Sequence, residues 1–306
     1  MWHCKRRYSI IDNDWGDTKF PVIPGHEIIG LVDDVNSNVT TLKRGDRVGI
    51  GYQQEACFNC DFCNQGHEQF CPRQKVIGVH TNGGLAEFIV TDNRFVFKLP
   101  AKLASAKSVP LLSSGLTVYT GITRARLQDS ANVAVLGVGG LGQLAIQFLK
   151  KMGHKVSAFS HSPQKREMVS ELGAEYFDTS NESSLVVLDR QFDFMLSTLN
   201  VQFDINKYLR MLKPQGKICL VAQPPENLSI NTGLLYEYAQ RTIYGNYTGS
   251  RKDMREMLAF AEKFGIKSIV ETLPFSKVNE VIEMVRTGAP MRLILENVNV
   301  ESESQN

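Results

Sequence analysis

The chain has no excess of either charge sign: 34 basic residues stand against 32 acidic ones, a net charge of +2. Such balance leaves no electrostatic footprint for nucleic acid or for an anionic membrane surface. It has no long hydrophobic run either. The longest apolar stretch, Val133 to Leu149, is broken by four glycines and two glutamines, which excludes a membrane span. The opening MWHCKRRYSIIDNDWG carries a basic patch with no apolar segment behind it, so it does not read as a secretory signal. There are only six cysteines, and four of them crowd between Cys57 and Cys71. In a chain read as lacking a signal, that crowding points to metal ligation in a reducing compartment rather than to disulfides. The expectation is a soluble, cytoplasmic protein.

What is there is ordinary globular composition, 42% hydrophobic and 22% charged over 306 residues, enough for about two domains. The first hundred residues read as short strands and loops. Glu27–Val35, Asp46–Gly51, Gly84–Thr91 and Phe95–Leu99 are rich in β-branched or aromatic residues and bounded by turn formers. A helical pattern runs through Ser105–Thr123, and strands then alternate with helices. Asn132–Leu136 reads as a buried strand, and Leu141, Leu144, Ala145, Phe148 and Leu149 form an apolar helix face. Lys155–Ser160 is the next strand. Ser162 as N-cap, Pro163 in the first turn and Gly173 past the end frame another helix. Phe192–Ser197 and Lys217–Ala222 read as further strands around a helix near Phe203–Leu212. Alternation of this kind predicts an α/β fold with a parallel sheet covered on both faces. Helices at Arg251–Phe264 and Lys277–Arg286 and a strand at Arg292–Glu296 close the chain, before a frayed tail.

Two motifs carry chemistry. Cys57, Cys60, Cys63 and Cys71 follow C-x2-C-x2-C-x7-C, a spacing that wraps a tetrahedral Zn²⁺ in a closed, structural site. The surrounding loop lacks periodic apolar residues, so the metal would stand in for a core. An iron–sulfur cluster fits the spacing less well, since its ferredoxin pattern needs three residues before the last cysteine.

The second motif is Gly137-Val138-Gly139-Gly140-Leu141-Gly142, a G-x-G-x-x-G fingerprint between a strand and a helix. That context gives the glycines a tight turn, close backbone approach to a pyrophosphate, and helix–strand packing. At the end of the second strand an NAD site would carry Asp or Glu to grip the ribose hydroxyls. This chain has Ser160 there, then His161 and Ser162, with Lys165 and Arg166 following and no acid before Glu167. Hydroxyls and cations suit a 2′-phosphate, which favours NADP(H) over NAD(H). Lys165 and Arg166 as plain solvated first-turn residues is the simpler alternative.

The cysteine lobe ahead of the glycine motif, with PVIPGHEIIG, KRGDRVGIG, GGLAEFIV, PLLSSGLTVYTGI and LGVGGLGQLAIQF, resembles the zinc-dependent medium-chain alcohol dehydrogenases. The nearest branch is the NADP-dependent cinnamyl alcohol dehydrogenase group, and the likeness runs from about Ser9 to Glu296. It implies a GroES-like β-rich catalytic domain over residues 1–113, with the structural zinc lobe at 57–71. A Rossmann doubly wound domain would follow over 114–245, and a segment over 246–306 would return to the catalytic domain. It further implies an active-site cleft between the domains and a homodimer. The implied reaction is reversible hydride transfer between NADP(H) and a small-molecule primary alcohol or aldehyde.

Carried over residue by residue, the resemblance assigns a catalytic zinc to Cys4 and His26, with Glu27 beside them. Thr117 matches a family threonine near the nicotinamide, and Thr198 joins the candidate cofactor contacts. Two departures stand out. The family's third zinc ligand, the Cys of PLLCAG, is Ser113 here, and a hydroxyl is a far weaker zinc ligand than a thiolate. Where the family reads Cys-His-Ser-Asp, this chain reads Cys4-Lys5-Arg6-Arg7, so the proton-relay serine is Arg6. The family also carries strands ahead of this point. The abrupt end of the match at Tyr8–Ser9 favours a displaced gene start, with divergence as the alternative. A zinc-independent NADPH reductase and a non-catalytic NADPH-binding remnant stay open beside the family reaction. Among other residues, Cys219 reads as core, and His67 and His80 as solvated loop positions. Met254, Met257 and Met284 read as packing, and the Arg251–Arg255 charge run as a solvated helix face.

Overall fold

The computed structural model describes residues 10–13, 16, 18–180, 185, 188–287 and 292–297. The chain divides into two compact units, one of Met1–Ser113 with Gly249–Asn306, the other of Ser114–Thr248.

The first part of the first unit is built from short strands. β1 (Ile28–Leu31) pairs antiparallel with β2 (Arg47–Ile50). β3 (Gln53–Glu55) pairs with β4 (Lys75–Val76) around α1 (Asp61–Asn64). β5 (Val96–Lys98) adds to the far side of β2, giving the order β1-β2-β5. Gly49 in β2 and Gly51 just past it are glycines because a side chain would strike Leu112 at either position. The expected strand at Gly84–Thr91 does not form. Its start is tied to a non-strand segment, with Gly84 N–H donating to Gly25 O and Leu85 N–H to Pro24 O. Phe88 and Val90 project outward, 73% and 91% exposed, so the period-2 pattern there has no sheet to bury against.

The second unit opens with α2 (Ser114–Ala125), after a 3-10 segment, Ala106–Leu112, that contains Pro110. Proline lacks the N–H needed to join the two into the single helix that the pattern predicted. β6 (Asn132–Leu136), α3 (Gly140–Lys151) and β7 (Lys155–Ser160) then form a strand–helix–strand unit. Leu144, Ala145, Ile146, Phe148 and Leu149 are fully buried on α3, each contributing about 1.5–3 kcal/mol for the larger side chains. A 3-10 turn, Pro163–Lys165, precedes α4 (Arg166–Glu171), and Gly173 follows at φ +77°. Ser162 makes no side-chain cap, so that part of the expectation is corrected. Instead, its own N–H donates to Ser160 Oγ at 3.2 Å.

β8 (Glu175–Asp178), β9 (Phe192–Ser197), α5 (Ile205–Met211), β10 (Leu212–Leu220), α6 (Gly233–Tyr236) and β11 (Thr242–Gly245) complete the unit. β10 starts five residues earlier than the sequence suggested, with a break in register between Leu212 and Lys217. All six strands run parallel in the order β11-β10-β9-β6-β7-β8. The first strand of the sheet, β6, therefore lies centrally, and the order reverses between it and β9. Ligands of doubly wound sheets sit outside the carboxyl ends at this kind of switch point.

The chain then re-enters the first unit through α7 (Arg251–Phe264). Its start is a capping box: Ser250 Oγ accepts from Asp253 N–H and Asp253 Oδ2 accepts from Ser250 N–H. Caps of this kind are worth about 1 kcal/mol. Met254, Met257, Leu258 and Ala261 are buried along it, and Gly265 at φ +68° ends it. β12 (Val270–Pro274), α8 (Val278–Arg286) and β13 (Arg292–Glu296) form a second parallel crossover, with Val281, Val285 and Leu293 in its core. Met284 is 39% exposed on α8 and does not pack as expected. Its position flanks the face that Val281 and Val285 bury.

Candidate functional site

The cysteine lobe brings its four thiols together. The Sγ atoms of Cys57, Cys60, Cys63 and Cys71 all lie within 4.8 Å of one another, and Cys57 and Cys63 are 3.9 Å apart. Tetrahedral Zn–S bonds of about 2.3 Å require sulfurs roughly 3.8 Å apart, so the donor set and its spacing fit a zinc ion. Cys71 Sγ accepts from the backbone N–H groups of Cys57 and Arg73, both at 3.4 Å. These bonds orient the sulfur toward the centre of the four. The thiols differ among themselves: the Asn59 backbone N–H pulls Cys57 down, whereas burial pushes Cys63 up.

The lobe is less bare than its sequence suggested. Ala56, Cys63, Cys71 and Phe95 form a small buried cluster, with Phe58 against it. The Arg251 guanidinium lies 4.6 Å from the Phe58 ring centre and pairs with Glu68 at 2.7 Å. Arg94 covers the same ring at 3.8 Å. Arg251 is thus no solvated helix residue, and the charge-run reading is corrected there. No sequence signal links it to the lobe, because the partners are far apart in the chain.

The glycine turn sits at the switch point of the sheet. Gly137 has φ +87°, and a side chain there would meet Thr198 Oγ1. Thr198, at the end of neighbouring β9, donates from its N–H to Leu136 O and from its hydroxyl to Gly137 O, each at 2.9 Å. Gly139 is the extended N-cap of α3, and Gln143 N–H returns to its carbonyl. A side chain on Gly142 would collide with the Gly137 carbonyl, which explains why helix and turn can approach so closely. Val138 is buried, while Gly139 is exposed and Gly140 and Leu141 are partly so. The first N–H groups of α3 are left without intrahelical acceptors, a ready anion site.

Ser160 ends β7 with its side chain almost fully enclosed, 4% exposed. His161 is exposed, Ser162 partly so, and Lys165 is half-buried with its ammonium pushed below the usual range by burial. The nearest acid in register is Asp178, opposite Ser160 on β8, and its carboxylate is held by Ser180 N–H and Oγ. Thr117 is buried on α2: its hydroxyl donates to Tyr247 O at 2.8 Å and its carbonyl accepts from Asn246.

His26 is 3% exposed and meets Tyr52 edge-on at 5.8 Å. Glu27 is buried beside it, 4.0 Å from the equally buried Arg292. Ser113 follows the 3-10 segment in a partly buried position. Cys4 lies outside the described residues, as do Arg6 and Arg7. Among the described residues, the four lobe cysteines are the one grouping of three or more such side chains close enough for a single ion. Cys219 is fully buried in β10, where burial pushes its thiol up to about 12.

A parallel sheet in this order, a glycine turn at its switch point and a four-cysteine lobe define a class, the zinc-binding dehydrogenases. The alcohol dehydrogenase GroES-like domain matches residues 3–101, and the zinc-binding dehydrogenase domain matches residues 140–263. The aldehyde reductase AdhA of Synechocystis sp. is 35% identical over 95% of this chain and 87% of its own length. A cinnamyl alcohol dehydrogenase from Sorghum bicolor superposes with a TM-score of 0.89 at 31% identity, covering 96% of this chain and 88% of that one. A Helicobacter pylori enzyme of that type, solved with NADP(H), gives 0.84 at 26%, with coverage of 96% and 88%. The chain belongs to the zinc-binding alcohol dehydrogenase family, a GroES-like domain joined to a Rossmann-type sheet. It is an oxidoreductase of that family's alcohol and aldehyde kind. The resemblance drawn from its sequence motifs is met. Among the described residues, no helix is long and apolar enough to cross a membrane.

Proposed function

We propose that this protein transfers hydride reversibly between NADP(H) and a small primary alcohol or its aldehyde. The observation that carries the reading is the end of β7, where the enclosed Ser160 stands in place of a ribose-gripping acid and Lys165 is half-buried nearby. An acid there would repel a 2′-phosphate; hydroxyls and a cation would hold it. The exposed Gly139 and the N-terminus of α3 would take the diphosphate, with Thr198 ordering the backbone of the turn and Thr117 lying near the nicotinamide as in the family. The NADP(H) bound by the Helicobacter pylori relative supports the same choice. The reading includes a homodimer in the cytoplasm, following the family.

The lobe cysteines would hold a structural zinc. At His26, with Cys4 and Glu27, a second zinc would supply Lewis-acid polarisation of the carbonyl oxygen. His26 is enclosed against the Tyr52 ring. Two observations favour a second reading, a zinc-independent NADPH reductase on the same fold. Ser113 offers a hydroxyl where a thiolate is needed, and Glu27 already lies against a buried guanidinium.

Titration with both cofactors, followed by turnover with a panel of aldehydes, tests the proposal. NADPH should bind at least about tenfold more tightly than NADH, roughly 1.4 kcal/mol. Ser160→Asp should swing the preference toward NADH. Equal curves for the two cofactors would overturn the cofactor assignment.

A further inference from the structure

The end of β7 is held by a residue that the cofactor reading does not include. Tyr176, on the adjacent strand β8, donates its hydroxyl to the Ser160 carbonyl at 3.0 Å. The same carbonyl accepts from Thr179 N–H at 3.1 Å, so the backbone at Ser160 is fastened twice from the β8 side. The opposite use of Tyr176 is its ring, which carries the Arg166 guanidinium 4.8 Å from its centre. Arg166 opens α4, one residue after Lys165, and its side chain is otherwise exposed.

An exposed arginine on a flexible stem samples many rotamers, and fixing it onto a ligand costs side-chain entropy. Stacking on an aromatic face recovers about 0.5–1 kcal/mol at an exposed site and narrows that sampling. A guanidinium is planar, always charged and suited to a phosphate fork. Held against Tyr176, it stays near the strand end whose carbonyl the same tyrosine binds.

We propose that Tyr176 is a positioning residue for the 2′-phosphate subsite, its ring holding Arg166 as a second cation beside the end of β7. The inference rests on the NADP(H) reading above and adds to it a cation that Lys165 alone does not supply. Charge at this corner is mixed. Asp178 lies opposite Ser160 in register, its carboxylate held below the usual range first by the Ser180 hydroxyl and N–H, with Arg166 and His161 adding smaller contributions. The Ser180 bonds turn that carboxylate into its own loop, while the tyrosine ring carries Arg166.

Equilibrium titration of the full-length protein with NADPH and with NADH, read by cofactor fluorescence, tests it. Arg166→Gln should weaken NADPH binding about tenfold and leave NADH unchanged. Tyr176→Leu should reproduce most of that loss, and the double variant should be no worse than Arg166→Gln alone, since the tyrosine acts through the arginine. Tyr176→Phe, which keeps the ring, should retain most of the NADPH affinity and guards against a folding defect. Parallel weakening of both cofactors, or losses that multiply in the double variant, would overturn the positioning role. The unaltered protein reports separately on the underlying reading. A chain with equal affinity for both cofactors has no 2′-phosphate subsite, and both inferences fall. A preference for NADPH that Tyr176→Leu leaves undiminished overturns the positioning role alone.

Discussion

Arg251 and Glu68, 183 residues apart in the chain, meet at 2.7 Å with the Glu68 side chain only 5% exposed. The arginine stands at the first position of α7, where the chain re-enters the first unit, and its guanidinium also faces the Phe58 and Phe95 rings. One side chain thereby pins the cysteine lobe to a distant helix.

Removing that pin should be costly. Arg251→Ala leaves a buried carboxylate uncompensated, which costs about 2–4 kcal/mol, below the roughly 3–5 of a fully buried pair because Arg251 keeps some solvent contact. Pairing it with Glu68→Gln should recover part of the loss. Denaturant unfolding of the three variants measures both effects. A loss below about 0.5 kcal/mol for Arg251→Ala would mean the contact is surface decoration.

Metal should hold the lobe together. Cys60→Ser removes one of four thiolates, so bound zinc and thermal stability should both fall, with NADPH affinity unchanged at temperatures where the protein stays folded. The aromatic cluster around Phe95 should keep the lobe from unravelling entirely. Unaltered zinc content and melting in the variant would argue against a structural metal site.

The zinc count separates the two functional readings. The unaltered chain should hold about one zinc tightly, because a catalytic site needs three protein ligands and Ser113 supplies a hydroxyl. Ser113→Cys should raise the content toward two. Two equivalents in the unaltered protein, with brisk NADPH-dependent aldehyde reduction, would show that the serine is no obstacle.

Acid should weaken the second unit through His154. Its ring is 8% exposed, and burial lowers its pKa from the ordinary 6.5, with Asp129 and Asp193 partly opposing the shift. The folded protein therefore holds this imidazole neutral while the unfolded chain readily protonates it. Its contribution is fully present above about pH 6.5 and is lost as pH falls through the folded value. Melting curves between pH 7.5 and pH 5, a range of about 2.5 units around the ordinary histidine value, should drop less steeply for His154→Leu than for the unaltered chain. Identical slopes would show that the buried histidine is not a source of the acid sensitivity.

The local order of this protein was legible in its residues. The strand Asn132–Leu136, the glycine turn after it, the strand Lys155–Ser160 and the helix Arg251–Phe264 were all readable from periodicity and turn chemistry. The four-cysteine spacing was legible for the same reason, since ligands within one loop need only local geometry to converge. What the residues could not show was which side chains meet across long sequence separations. Phe88 and Val90 alternate like a strand but find no partner edge, because pairing depends on what the fold brings alongside. Arg251 reads as solvated until α7 is laid against the lobe, and nothing in the residue order links Glu27 to Arg292 or Tyr176 to Ser160. Periodicity reports a residue's own element; burial, ion pairs and stacking are properties of two elements at once, and only the tertiary fold decides them.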